Sequence, residues 1–137
     1  MLDSAVVVSA FRSWRGASSR LLILAEVGRV VPLATPALFL EYEGVLKRPE
    51  QCEVSGLSVA EVDTALRALA ALVEPVEVRF AWRPQLADPD DEMVLEAAVN
   101  GRADALVAHN LAHFAAVAPR FGLALLRPGE LLERIGR

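Results

Sequence analysis

Four acids crowd the start of the stretch ADPDDEMVLEAAV, residues 87–99: Asp88, Asp90, Asp91 and Glu92. They precede apolar residues at helical spacing, which leaves two kinds of chemistry open to them. Carboxylates in a first helical turn accept bonds from backbone amides that lack partners, and they oppose the positive end of the helix dipole. The same oxygens are hard ligands for a divalent cation such as Mg²⁺ or Mn²⁺. His109 and His113 stand four apart and raise a zinc reading, but no Glu follows His109 as a zinc protease motif requires. Arg12, Arg15 and Arg20 make a basic patch beside Phe11 and Trp14. It reads either as contacts to phosphates and unpaired bases or as a solvated helix flank with its aromatics in the core. Trp82 beside Arg83 carries the same pair of readings.

The elements that must position these groups follow from periodicity. Leu21, Leu22, Leu24, Ala25 and Val27 fall at helical spacing and Gly28 supplies a stop. Val30, Val31 and Leu33 suit a buried strand that Pro32 confines to an edge or an end. Thr35 and Pro36 open a helix as cap and first residue, carrying Leu38, Leu40, Tyr42, Val45 and Leu46, and KRPEQCEVSG ends it. Ser58 and Glu61 have the spacing of a capping box ahead of a long run of good helix formers. Alternating Val76, Val78 and Phe80 give a weaker strand signal. The acidic helix follows, then DALVAH as a strand, NLAHFAAVAPRFG as a helix, LALLRP as a strand and GELLERIG as a closing helix.

Strands alternating with helices predict an α/β fold with a mainly parallel sheet covered on both faces. In such sheets ligands sit beyond the carboxyl ends of the strands. Residues directly after strands therefore matter most, and they include Asp3, Thr35, His109, Asn110 and Arg127.

With 137 residues, the chain fits one domain, 1–137, able to bury a core without disulfides. Although 54% of residues are apolar, no uninterrupted apolar run approaches the ~20 residues needed to cross a bilayer, and the start lacks the pattern of a secretory signal. No membrane role is expected. The single cysteine, Cys52, forms no internal bridge, which fits a reducing cytoplasm. A net charge of −4 means that any nucleic-acid site is a local basic patch.

The segments MLDSAVVVSAFRSWRGASSRLL, PALFLEYEGVLKRPE, DPDDEMVLEAAVNGRADALVAHNLAHF and LLRPGELLERI together resemble the PIN-domain ribonucleases, especially the toxins of toxin–antitoxin pairs. The resemblance implies a three-layer α/β/α sandwich and divalent-metal-dependent cleavage of RNA. It also implies a small cognate antitoxin that wraps an apolar groove, and a homodimer. It places VVVSAF in the first helix, although that β-branched run favours a strand.

By the same resemblance the metal-binding and catalytic acids are Asp3, Glu41 and Asp91, with Asn110 as a further or supporting ligand for Mg²⁺ or Mn²⁺. Ser4, Asp88 and His109 are auxiliary, and Arg12 and Arg15 contact RNA. Such an ion activates a water for in-line attack and offsets charge on the phosphoryl oxygens. Three positions depart from the family pattern. Ser4-Ala5 stands where Thr-Asn is usual, Ala108 replaces a threonine, and Asn110 replaces an aspartate, bringing a neutral oxygen to the ion. Only Met1 and Leu2 precede Asp3, so the first strand is expected to be very short.

Two other classes compete. A PIN-like domain that has left catalysis and serves as a binding or interaction module accounts for those departures. A phospho-receiver or nucleotide-binding module does not: the sole lysine, Lys47, lies in the wrong segment, and neither GxGxxG nor GxxxxGK[ST] occurs.

Overall fold

The computed structural model describes residues 1–13, 15–79, 86 and 88–135. Trp14, Phe80, Trp82 and Arg83 lie outside the described residues, so the readings placed on them are not taken further. Among the described residues, seven α-helices and four short strands occur in chain order: α1 Ser4–Arg12, α2 Ala17–Glu26, β1 Leu33–Ala34, α3 Pro36–Leu46, α4 Pro49–Ser55, α5 Val59–Leu72, β2 Glu74–Pro75, α6 Pro89–Asn100, β3 Ala105–Val107, β4 Ala124–Leu126 and α7 Pro128–Arg134.

The class is α/β, rich in helix, and every strand pair among the described residues is parallel. The strands form two small sheets of two: β1 with β2, and β3 with β4. Leu2 adds a single parallel bridge to Val107. The Val107 N–H donates to Met1 O at 2.8 Å and the Asp3 N–H donates to Val107 O at 2.9 Å. These two bonds fix the start of α1 against the carboxyl end of β3.

Local chemistry explains most helix starts. The Thr35 hydroxyl accepts from the Leu38 N–H at 3.1 Å, with Pro36 at the first helical position. Ser58 and Glu61 close a reciprocal capping box at 3.1 Å in both directions. Asp3 caps α1, and VVVSAF is helical because Val6, Val7, Val8 and Ala10 bury against the core. Burial outweighs the β preference of that run.

Three expectations need correction. The run 110–122 is not one α-helix; it forms two short 3₁₀ turns, Leu111–His113 and Ala118–Phe121. Pro119 has no N–H to donate, and Gly122, at φ 67°, terminates the second turn. The expected strand at 30–33 shifts to Leu33–Ala34, with Val31 exposed. The segment after α3 does more than end it: Pro49 starts α4, which closes on Gly56 at φ 75°.

The core joins the sheet residues Leu106, Val107 and Ala108 to Leu38 and Tyr42 of α3, Val94 and Leu95 of α6, and Phe114. Consecutive β3 side chains are buried, so this strand is covered on both faces. At the end of α6, a Cβ on Gly101 would meet Val76 Cγ2 at 2.8 Å, so a glycine there lets α6 approach β2.

Candidate active site

Asp3 sits where Leu2 hands over to α1, and it acts as that helix's cap: its Oδ1 accepts from the Ser4 N–H at 2.8 Å. Ser4 thus serves Asp3 through its backbone. Burial pushes the Asp3 carboxyl up to about 6, against the Ser4 hydrogen bond, which favours the ionised form. The negative charges of Asp91 and Asp88 push the same way, and His113 opposes them. Tyr42 braces this corner from α3, its hydroxyl donating to Leu2 O at 2.5 Å. Burial, and then the charge of Asp3, pushes that phenol upward.

The acidic run at α6 divides by role. Asp88 is the cap, accepting from the Asp90 N–H at 2.9 Å. Asp90 is exposed. Glu92 reaches back, its Oε2 accepting from the Leu86 N–H at 2.8 Å. Asp91 is the one that turns inward, its side chain 14% exposed. Burial raises its carboxyl, as do Asp88 and Asp90, while His113 counters them by charge and by hydrogen bond.

That bond runs from His113 Nδ1 to Asp91 Oδ2 at 3.0 Å. On its other side, His113 Nε2 lies 2.9 Å from Asn110 Nδ2. An amide nitrogen can only donate, so Nε2 accepts and the proton sits on Nδ1, aimed at Asp91. Sequence spacing raises His113 only as a zinc partner of His109 and does not show this link. Its three-residue spacing from Asn110 becomes informative only once the 3₁₀ turn is known. The same turn separates the two histidines: His109 Nε2 lies 2.7 Å from Ser9 Oγ, which in turn lies 2.9 Å from Ser18 Oγ. They share no partner, and the zinc pairing is set aside.

Glu41 stands in mid α3, and burial raises its carboxyl, followed by the charge of Asp90; Arg48 lowers it and Asp88 raises it. The charge of Asp88 therefore bears on both Asp3 and Glu41. The three predicted acids do not meet as a cage. Among the described residues, no three His, Cys, Asp or Glu side chains come together around a point that could hold an ion. The charge of Asp91 bears on Asp3, and His113 and Asn110 stand behind Asp91. Arg12 is exposed in the last turn of α1, and Arg15 lines a cleft on the far side of Ser9.

A short parallel sheet flanked by helices, with acids gathered past the carboxyl end of its strands, defines an α/β domain with a polar site at the usual place for this class. The family model described as PIN domain matches residues 1–112, and the chain belongs to that family. PIN domains are generally nucleases that bind RNA and typically use divalent metals. No curated protein and no solved structure matches the chain. Among the described residues, no helix is long and apolar enough to cross a membrane.

Proposed function

We propose that the chain is a metal-dependent endoribonuclease that hydrolyses RNA phosphodiester bonds, with Asp3 and Asp91 as the principal ligands of Mg²⁺ or Mn²⁺. What carries this reading is family membership over residues 1–112, together with Asp3 fixed at the carboxyl end of β3 and the negative charges of Asp91 and Asp88 bearing on it. Like charges held together gain from a shared cation. Mg²⁺ is commonly held through one or two carboxylates, with waters and substrate phosphate completing its shell, so this donor pair fits the ion without a three-acid cage.

When bound, the ion supplies a nucleophilic water and offsets charge on the phosphoryl oxygens. The chain's own groups do the positioning. Val107 O and the Ser4 N–H hold Asp3; His113 orients Asp91; Asn110 fixes the His113 tautomer. Glu41, on α3, would be the third acid to serve the ion. His109, Ser4 and Asp88 are supporting groups, and Arg12 and Arg15 lie on the RNA side.

The reading extends to a three-layer α/β/α arrangement, supported by the burial of β3 on both faces. It extends also to a toxin of a toxin–antitoxin pair, acting in the cytoplasm as a homodimer with a cognate antitoxin. The segment-by-segment similarity described above supports that part.

A second reading, a PIN-like binding module that no longer cleaves, is favoured by one observation: the Asn110 amide is engaged with His113, leaving the site one carboxylate short. A metal titration with an RNA cleavage assay separates the two. Millimolar Mn²⁺ should raise the melting temperature and support cleavage of single-stranded RNA, with EDTA abolishing both. At one hundred times Kd the stabilisation is ~2.7 kcal/mol. Asp91→Asn should lose the shift and the cleavage together. A wild-type protein with neither response to Mn²⁺ or Mg²⁺ would overturn the nuclease reading.

A further inference from the structure

A cleft of about 690 Å³ holds Arg15 and His109 together with groups that the proposed function does not use, and Asp3, Glu41 and Asp91 do not line it. Its walls come from the second half of α1, the start of α2, the residue pair after β3 and the beginning of α7. Arg15 and Arg20, from the α1–α2 junction and the start of α2, and Arg127, after β4, line it, as do the polar residues Ser9, Ser18 and His109. Arg127 directly follows β4 and His109 lies just past β3, so the cleft occupies the carboxyl end of that strand pair.

We infer that this cleft is a docking channel for the sugar–phosphate backbone of an RNA strand, with Arg20 and Arg127 as phosphate contacts flanking the scissile position. The inference rests on the nuclease reading for the identity of its ligand, and on the cleft itself for its location. Planar guanidinium forks match phosphate oxygens two at a time. The acids nearby repel other anions unless an ion offsets them, so convergent arginines in a chain of net charge −4 mark where a polyanion can be held.

Continuity with the acids favours a long ligand. Asp3 caps α1 and Ser9 lies six residues farther along it, about 9 Å on the helix axis. Ser9 bonds His109, whose neighbour Asn110 contacts the partner of Asp91. An extended strand with one phosphate at the acids therefore lays the adjoining ones along α1 into the cleft. Two carboxylates, Glu130 and Glu133, also line it. Glu130 accepts from the Arg127 N–H at 2.9 Å, and its Oε1 stands 3.9 Å from Arg127 Nη1. An exposed pair at that distance is weak, ~1 kcal/mol or less, so Arg127 can turn to a phosphate.

The test measures binding of a fluorescein-labelled single-stranded RNA by anisotropy in EDTA, where nothing is cleaved, across a salt series. It compares wild type, Arg20→Ala/Arg127→Ala, and a control of equal charge loss, Arg67→Ala/Arg79→Ala, at exposed positions away from the cleft. The cleft variant should bind roughly tenfold or more weakly, and the slope of log K on log salt should fall by about 1.4, since each single-strand phosphate contact contributes ~0.7. The control should stay within about twofold of wild type on the same electrostatic grounds. Single variants Arg20→Gln and Arg127→Gln should each take about half of the slope change. With Mn²⁺, the cleft variant should raise KM and leave kcat nearly unchanged.

Equal binding by the cleft variant and the control overturns the inference. So does displacement of the RNA by a polyglutamate peptide as readily as by unlabelled RNA, which would make the cleft an acidic-peptide surface. Wild-type cleavage with binding and KM indifferent to Arg20 and Arg127 removes the cleft and leaves the nuclease. Binding that depends on both arginines without any cleavage keeps the cleft and removes the nuclease.

Discussion

Replacing Asp3 by Asn should stabilise the metal-free protein at neutral pH, because it deletes a charge that the fold disfavours. The Asp3 carboxyl is pushed from 3.8 to about 6. At 1.36 kcal/mol per tenfold change in acidity, holding it ionised costs the native state ~3 kcal/mol. Asn still caps α1 by accepting from the Ser4 N–H, but it gives up the attraction of a full charge to the helix N-terminus, ~0.3–1 kcal/mol. The net gain expected at pH 7 is ~2 kcal/mol, or roughly 6–10 °C in melting temperature for a domain of this size.

The pH dependence is the sharper signature. Between about pH 4 and pH 6 the folded protein retains a proton on Asp3 that the unfolded chain has already released. Stability from this group is therefore complete below 3.8 and is lost as pH rises through about 6. Asn has no such slope, so wild type and variant should coincide in stability near pH 3.5–4 and diverge to a plateau above about pH 6. Urea unfolding followed by circular dichroism in EDTA, from pH 4 to 7.5, reads both curves. An Asp3→Asn protein no more stable than wild type at pH 7, or a difference that is flat across this range, would refute the argument that Asp3 is a buried, repelled carboxylate.

Two further outcomes follow from the same geometry. His113→Ala removes the donor at 3.0 Å from Asp91 and should move the Asp91 titration to higher pH, as read from its carboxyl ¹³C shift. Because His113 is half exposed, the cost in stability should stay within ~1 kcal/mol, and an unmoved Asp91 titration would show that His113 does not act on it. Phe114→Ala empties a fully buried ring position just past the first 3₁₀ turn and should cost ~3–5 kcal/mol in urea unfolding. A loss under ~1 kcal/mol would mean that this turn is not anchored in the core.

Sequence alone determined the parts that depend on neighbouring residues. Caps act within four positions, so Thr35, the Ser58–Glu61 box and the role of Asp88 at α6 were all legible as residue types at fixed spacing. Apolar periodicity and stop signals likewise placed α2, α3, α5, α6 and α7 and the DALVAH and LALLRP strands, but not α4. The PIN resemblance placed VVVSAF in α1, where the structure has it, and nominated Asp3, Glu41, Asp91 and Asn110; the match over 1–112 bears out the family itself.

Tertiary structure decided the rest, because it concerns groups far apart in the chain. Whether 110–122 would run as a helix turned on Pro119 and on Phe114 entering the core, which periodicity does not weigh. Which of four adjacent acids faces inward depended on where the 3₁₀ turn presents His113, a residue 22 positions after Asp91. The cleft of Arg15, Arg20 and Arg127 exists only because α1, α2 and α7 pack around the ends of β3 and β4. Local spacing fixes what a residue can do for its own helix; only the packed chain sets which charges share one low-dielectric corner, and hence which of them bear chemistry.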